Sequence, residues 1–390
     1  MNLSHRSMHA QAGSSHKGLY IHIPFCDGKC AYCAFYSIRY ERTTADLFID
    51  ALECDMRRAA IDAGGFVPET VYIGGGTPTI LENGQLRRLM ALIKKYFPAK
   101  PVEWTVEANP GSLTDAKLRI LRQGGANRIS LGIQATDDAV LARLGRRHTW
   151  NDALQSVAAI RAAEFSNWNL DLIACVPGVT IDAWRDTLHR ILDLNPPHVS
   201  VYALTVEEGS RLAQSRGFRS ETDTRQLRVL HMTRNILAHA GVCQYEISNY
   251  AVAGRECLHN CGYWCDMDYI GCGPAAATRI RLHRRIKRPD VIAYISNLTA
   301  GKQAPGRNER LTPLTSATEA LIFGLRMNQG VNIDSILDCH GLQHHPIADR
   351  WRATLRQLVH DSMVRHVGGW WRLTARGRDL ADAIAVELMD

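Results

Sequence analysis

From Gly18 to about Ala240 the chain alternates short β-like runs with longer amphipathic stretches. The runs read LYIHI, VYIG, EWTVEAN, NRISLGIQ, NWNLDLI and HVSVYAL, rich in β-branched and aromatic residues. Between them, segments such as 44–63, 84–96, 114–122 and 181–192 carry apolar residues at helical spacing. Six βα repeats in series predict an α/β fold with a parallel sheet and right-handed crossovers, most simply a partial (β/α)6 barrel.

Alternation within the strands adds a second expectation. Leu19, Ile21 and Ile23 point one way, and Tyr20 and His22 the other. Trp104 and Val106 oppose Thr105 and Glu107; Ile129, Leu131 and Ile133 oppose Arg128, Ser130 and Gln134; Leu170 and Leu172 oppose Asn169 and Asp171. An ordinary eight-stranded barrel fills its interior with Val, Ile and Leu. A parallel sheet is covered on both faces, so the polar face is expected to line a ligand-holding lumen rather than meet solvent.

Composition narrows the class. The 390 residues are 46% hydrophobic and 22% charged, ordinary for a globular enzyme and too many for one small core. No run of eighteen apolar residues suggests a membrane span, which leaves peripheral membrane contact as the only membrane role. Residues 1–17 contain neither an acid nor an apolar stretch. They are expected to form a flexible arm, with a short transit peptide as the alternative and a secretory signal excluded. Eleven dispersed cysteines argue for a reducing compartment, the cytoplasm, rather than a disulfide scaffold. The net charge of +7 allows an anionic ligand without requiring nucleic acid.

The strongest chemical signal is HIPFCDGKCAYC, where Cys26, Cys30 and Cys33 follow the first strand in a CX3CX2C spacing. A zinc ribbon needs a second CX2C pair, and none follows. The spacing suits three thiolates on three corners of a 4Fe–4S cube, leaving the fourth iron open for chemistry.

These residues resemble the radical S-adenosylmethionine superfamily, in the branch of oxygen-independent coproporphyrinogen oxidase and its relatives. The resemblance runs through GGGTPT (74–79), EANPGSL (107–113), NRISLGIQ (127–134), LGRRHT (144–149) and DLIACVPGVT (171–180). It implies a cluster whose open iron chelates S-adenosylmethionine. One electron from the reduced cluster then cleaves the sulfonium to methionine and a 5′-deoxyadenosyl radical. It also implies cofactor contacts at Tyr20, Tyr32, Gly75, Gly76, Thr77, Glu107, Gln134, Arg146, Asp171 and Thr205. Glycines let the backbone approach a ligand, carboxylates can bind ribose hydroxyls, and an arginine can pair with a carboxylate.

Two features select a group within that branch. The oxidases carry a further cysteine two residues after the third, where this chain has Phe35. HNCGYW (259–264) is similar to the HNxxYW motif of the HemW haem-chaperone group. The resemblance therefore implies haem as ligand at His259, with Tyr263 and Trp264 available to pack on a macrocycle. It also implies a haem-acceptor protein and a flavodoxin- or ferredoxin-type reductant. Oxygen-independent decarboxylation of coproporphyrinogen III is the competing activity.

Cys257, Cys261 and Cys265, spaced by four with Cys272 beyond, are read as small buried thiols, with a second metal site as the alternative. Ala277 and Cys175 stand where the family commonly has histidine and glycine. RIRLHRRIKR (279–288) is expected to be a solvated loop or edge strand, since nucleic-acid binding would call for stacking aromatics that are absent. The expected organisation is an arm at 1–17, the barrel at 18–240, an α+β extension bearing HNxxYW at 241–310, and a helical, winged-helix-like domain at 311–390.

Overall fold

The computed structural model describes residues 16–206, 210–213 and 221–389; all but residues 16 and 17 of the expected arm lie outside them. The six predicted strands form: β1 (Lys17–Ile23), β2 (Thr70–Gly75), β3 (Glu103–Ala108), β4 (Arg128–Gln134), β5 (Asn167–Ala174) and β6 (His198–Ala203). They pair in sequence order and all in parallel. The helices between them are α1 (Arg42–Asp62), α2 (Asn83–Tyr96), α3 (Asp115–Gly124), α4 (Asp138–Arg143), α5 (Trp150–Ala162) and α6 (Ile181–Leu192). Local chemistry sets their ends. Thr114 and Thr180 cap α3 and α6 through their hydroxyls, and Gly125 closes α3 in the left-handed conformation.

The barrel is open, and the chain covers both of its edges. After α7 (Asp223–His239), β7 (Asn249–Ala251) pairs antiparallel with β6, and a two-residue strand at Cys243–Gln244 follows it. Helix α8 (Leu258–Trp264) then leads into β8 (Asp268–Cys272), which lies parallel to β1 on the far edge. Three antiparallel strands extend this side: β9 (Ala277–Ile280), β10 (His283–Lys287) and β11 (Gly306–Arg310). One twelve-stranded sheet results.

The two strand faces separate as the alternation requires. Leu19, Ile21, Ile23, Val106, Ile129, Leu131, Leu170 and Leu172 join one core under the helices. On the other face Thr105, Arg128, Ser130, Asn169, His198 and Ser200 are buried as well, so the lumen is polar and enclosed. A second core lies between Ala317 and Leu388. It joins α10 (Pro313–Gly324), α11 (Ile333–His340), α12 (Ile347–His360), the hairpin Val364–Val367/Trp370–Leu373 and the last helix, Ala381–Met389, whereas α9 (Val291–Thr299) packs into the first core.

The basic run forms neither a solvated loop nor an edge strand: it makes the β9–β10 hairpin, one strand in from the edge that β11 provides, and three of its charges are neutralised internally. Arg279 binds Asp266, Arg284 binds Glu319, and Lys287 Nζ sits 2.6 Å from buried Asp55. No described helix is long and apolar enough to cross a membrane.

A candidate cluster and cofactor site at the barrel mouth

The three cysteines lie on the loop leaving the C-terminal end of β1, tied down from several sides. Phe25–Cys26 pairs with Ile38–Arg39, Ala31 N–H donates to Leu144 O (3.0 Å), and Leu212 N–H donates to Ala31 O (2.8 Å). All eleven cysteines are free thiols, and Cys26, Cys30 and Cys33 are partly exposed. Burial pushes the Cys33 thiol up; the Phe35 N–H and Lys29 pull it back, and Cys30 and Cys26 raise it further. The three sulfurs therefore share one electrostatic neighbourhood. No described group of three side chains converges tightly enough for a single metal ion. A cube asks for something else, since each thiolate holds its own corner iron. Unbridged thiols with cations beside them fit that demand.

Around the loop, the candidates from other strands interlock. Thr77 N–H donates to Phe25 O (2.7 Å), and its Oγ1 lies 3.6 Å from Cys26 Sγ. Arg146 Nη1 reaches Cys30 Sγ at 3.6 Å while Nη2 donates to Asn109 Oδ1 and Gly132 O, both at 2.7 Å. Tyr32 also bonds Arg146, although burial keeps its hydroxyl well above the usual range. A Cβ at Gly76 would stand 2.5 Å from Phe25 O, and Gly75 has φ +103°, so both positions require glycine.

The lumen below holds the carboxylates. Glu107 accepts from Tyr72 OH (2.7 Å) and Gly75 N–H (3.1 Å); burial pushes its carboxyl up to about 7 despite the Tyr72 bond. Asp171 accepts from Ser130 Oγ (3.2 Å) and Asn169 Nδ2 (2.8 Å), and burial raises it too. Tyr20 OH donates to His22 Nδ1 (3.0 Å), whose Nε2 reaches Tyr36 O (3.0 Å) beyond the third cysteine. Gln134 ends β4 at φ +73°, beside a register shift, in a conformation that a non-glycine residue adopts only under constraint. The barrel and its loops thus bring together nine of the eleven candidates around the cysteines. Thr205 stands apart on the rim after β6, exposed, its hydroxyl bonded among the described residues to Ala203 O (3.4 Å).

His259 is elsewhere. Helix α8 plugs the opposite end of the lumen, among the starts of the strands. Cys257, its N-cap, gives no capping bond and instead donates its thiol to Glu103 of β3 (3.5 Å), which caps the helix by accepting from Leu258 N–H and His259 N–H, both at 3.0 Å. The imidazole is 1% exposed. Its Nδ1 meets Thr70 Oγ1 at 2.8 Å and its Nε2 meets Tyr263 OH at 3.2 Å, with the Tyr72 ring 5.2 Å away. Burial, then Arg128, lowers it to about 3, so it is neutral. Both nitrogens are occupied, so iron could reach either only after one of these bonds opens. Cys257, Cys261 and Cys272 are buried, and burial pushes Cys257 up to about 12.

Sequence reasoning passed over Tyr72, Asn109, Asn169 and Glu103. Tyr72 and Asn109 stand inside quoted motifs, so their signal was present. Asn169 was placed on the polar face without a role. Glu103 had none, because its partner helix lies 155 residues away. Cys175 has φ +60°, which explains why a glycine suits that position.

The chain matches the radical SAM superfamily profile over residues 20–191 and the HemN C-terminal domain over 311–380. It is 32% identical over 374 residues to the heme chaperone HemW of Bacillus subtilis, covering 94% of this chain and 98% of that one. To the Mycobacterium tuberculosis (strain H37Rv) protein of the same name it is 32% identical, covering 95% and 94%. The mouse radical S-adenosyl methionine domain-containing protein 1, mitochondrial, is 30% identical over 334 residues, covering 82% and 75%. Among solved structures, coproporphyrinogen III oxidase (HemN) from Escherichia coli superposes with a TM-score of 0.84 at 24% identity, over 97% of this chain and 92% of that one. That last likeness speaks for the fold. Taken with the near full-length identities, the chain belongs to the HemW family of the radical SAM superfamily.

Proposed function

We propose that this protein is a haem chaperone that binds haem and passes it to an acceptor protein. The observation that carries this reading is the likeness along 94% of the chain to a protein named as a haem chaperone. In this reading Cys26, Cys30 and Cys33 hold a 4Fe–4S cluster. Tyr20, Tyr32, Gly75, Gly76, Thr77, Glu107, Gln134, Arg146, Asp171 and Thr205 surround S-adenosylmethionine. When bound, these groups supply one-electron reduction and a sulfonium able to accept the electron.

The chain's own residues have separable tasks. Arg146 joins Cys30 to the carbonyl of Gly132 and so fixes the loop against β4. Glu107 holds a proton near neutrality and releases it when a cationic ligand arrives. Glu103 keeps α8 shut, and His259 becomes a haem ligand when α8 swings away from Thr70. The working division is barrel, extension and C-terminal domain at 18–240, 241–310 and 311–390, in the cytoplasm, with a flavodoxin- or ferredoxin-type reductant.

The competing reading is oxygen-independent oxidation of coproporphyrinogen III. It is tested on anaerobically reconstituted protein. Haem titration should give a Soret band that saturates, weakened at least tenfold in His259→Ala. Coproporphyrinogen with S-adenosylmethionine and reductant should not turn over. Enzyme-like turnover would sink the chaperone reading, and unchanged affinity in His259→Ala would remove the ligand.

A further inference from the structure

Phe35, where the oxidases have a cysteine, is 72% exposed. Its backbone is nevertheless fixed. Lys29 Nζ donates to Phe35 O (2.6 Å), and the Phe35 N–H points to the Cys33 thiol. Its neighbour Tyr36 is held by His22 and accepts from Val291 N–H (2.7 Å). The chain thus presents an apolar ring to solvent on a braced loop, two residues from a cluster ligand.

The loop that carries it is rich in cations. Lys29 is exposed between Cys26 and Cys30, and exposed Arg39 pairs in register with Cys26. The Arg147 guanidinium lies against Gly28, and Arg211 Nη1 donates to Lys29 O (3.2 Å). Within 25–40 the only acid is Asp27, which Arg147 already binds at 2.8 Å. The cysteine loop itself is partly exposed.

We propose that the exposed face of the cysteine loop, with Phe35 and the loop-side cations Lys29, Arg39 and Arg147, is the docking surface for an acidic one-electron carrier protein. The inference rests on the cluster reading. One electron leaves the carrier and enters the cluster; no bond is made or broken between the proteins, and the oxidised carrier departs. Redox encounters are small, steered by opposite charge, and gain their contact from a few aromatic or arginine side chains. An exposed Phe on a basic loop supplies both parts.

The test uses the full reconstituted chain and the hydroquinone of an acidic flavodoxin, with cluster bleaching followed by stopped flow. Phe35→Ser and the double variant Arg39→Gln/Arg147→Gln should each slow reduction at least tenfold. Photoreduction by a small deazaflavin and the cluster's midpoint potential should be unchanged. The wild-type rate should fall with added salt, and the double variant should lose most of that slope. Wild-type rate and salt slope in both variants would overturn the docking surface. A wild-type chain that assembles no cluster, or whose cluster deazaflavin cannot reduce, would overturn the cluster reading and the proposal with it.

Discussion

At the scale of single residues, the mouth of the barrel stores unfavourable states that a ligand can relieve. Glu107 is raised to about 7 by burial, above its unfolded value of about 4.5, so ionising it in the folded chain is a penalty. That penalty is absent below pH 4.5, grows up to about 7, and then stays constant. S-adenosylmethionine, which brings positive charge, favours the ionised form. Its affinity should therefore rise by up to about tenfold per pH unit below 7 and level off above, as measured by calorimetry. Glu107→Gln should bind more weakly with no such slope; a wild-type profile flat from pH 6 to 8 would remove Glu107 from the site. Gln134 is the backbone counterpart, with φ +73°. Gln134→Gly should raise the melting stability of the cofactor-free chain by up to about 1 kcal/mol. Its affinity for S-adenosylmethionine should drop at least tenfold, and a variant that binds normally would refute the contact.

At the scale of elements, α8 is a seven-residue helix capped by a strand. Glu103→Gln keeps an acceptor oxygen but loses its charge, which should cost about 1–2 kcal/mol. Amide exchange should accelerate across 258–264 while β3 and β4 stay protected; unchanged exchange there would show that the cap is not what holds the helix. Acid acts on the same element. The folded His259 value, about 3, lies below the unfolded 6.5, so its contribution is fully present above 6.5 and is lost as pH falls towards 3. The strands and helices of the barrel were legible because each follows from alternation within a few residues, and β1 to β6 occupy the predicted runs. The candidates at the mouth were legible through motifs. The seat of α8 was not, because it depends on Glu103, Thr70 and Gly18, far away in sequence and unremarkable alone. The sequence could mark His259 as unusual but could not put it at the opposite end of the lumen from the cysteines.

At the scale of the whole molecule, Asp55 ties the first helix to the β9–β10 hairpin and to α9. It receives Lys287 Nζ (2.6 Å), Tyr294 OH (2.8 Å) and Gly273 N–H (2.9 Å), with both charged side chains under a tenth exposed. Breaking a buried pair leaves one charge unpaired, so Asp55→Ala should destabilise the protein by about 3–5 kcal/mol in denaturant melts. Asp55→Ala/Lys287→Met should recover a substantial part of that loss; full additivity would mean that the pair is not coupled.

The position of β8 has a further consequence for how the chain is made. Among the described strands β1 is synthesised before its partners; it gains β2 early but stays open on its other side until residues 268–272 arrive. Through that interval the cysteine loop hangs from a sheet edge with free backbone donors and acceptors, able to pair with another chain. A fragment stopped at Ala240 should therefore aggregate, whereas one carried through Arg310 should stay dispersed in light scattering. On the proposed cluster reading, loading of the loop and closure of this edge fall on the same strand, so iron and sulfide supply during synthesis should raise the yield of folded protein.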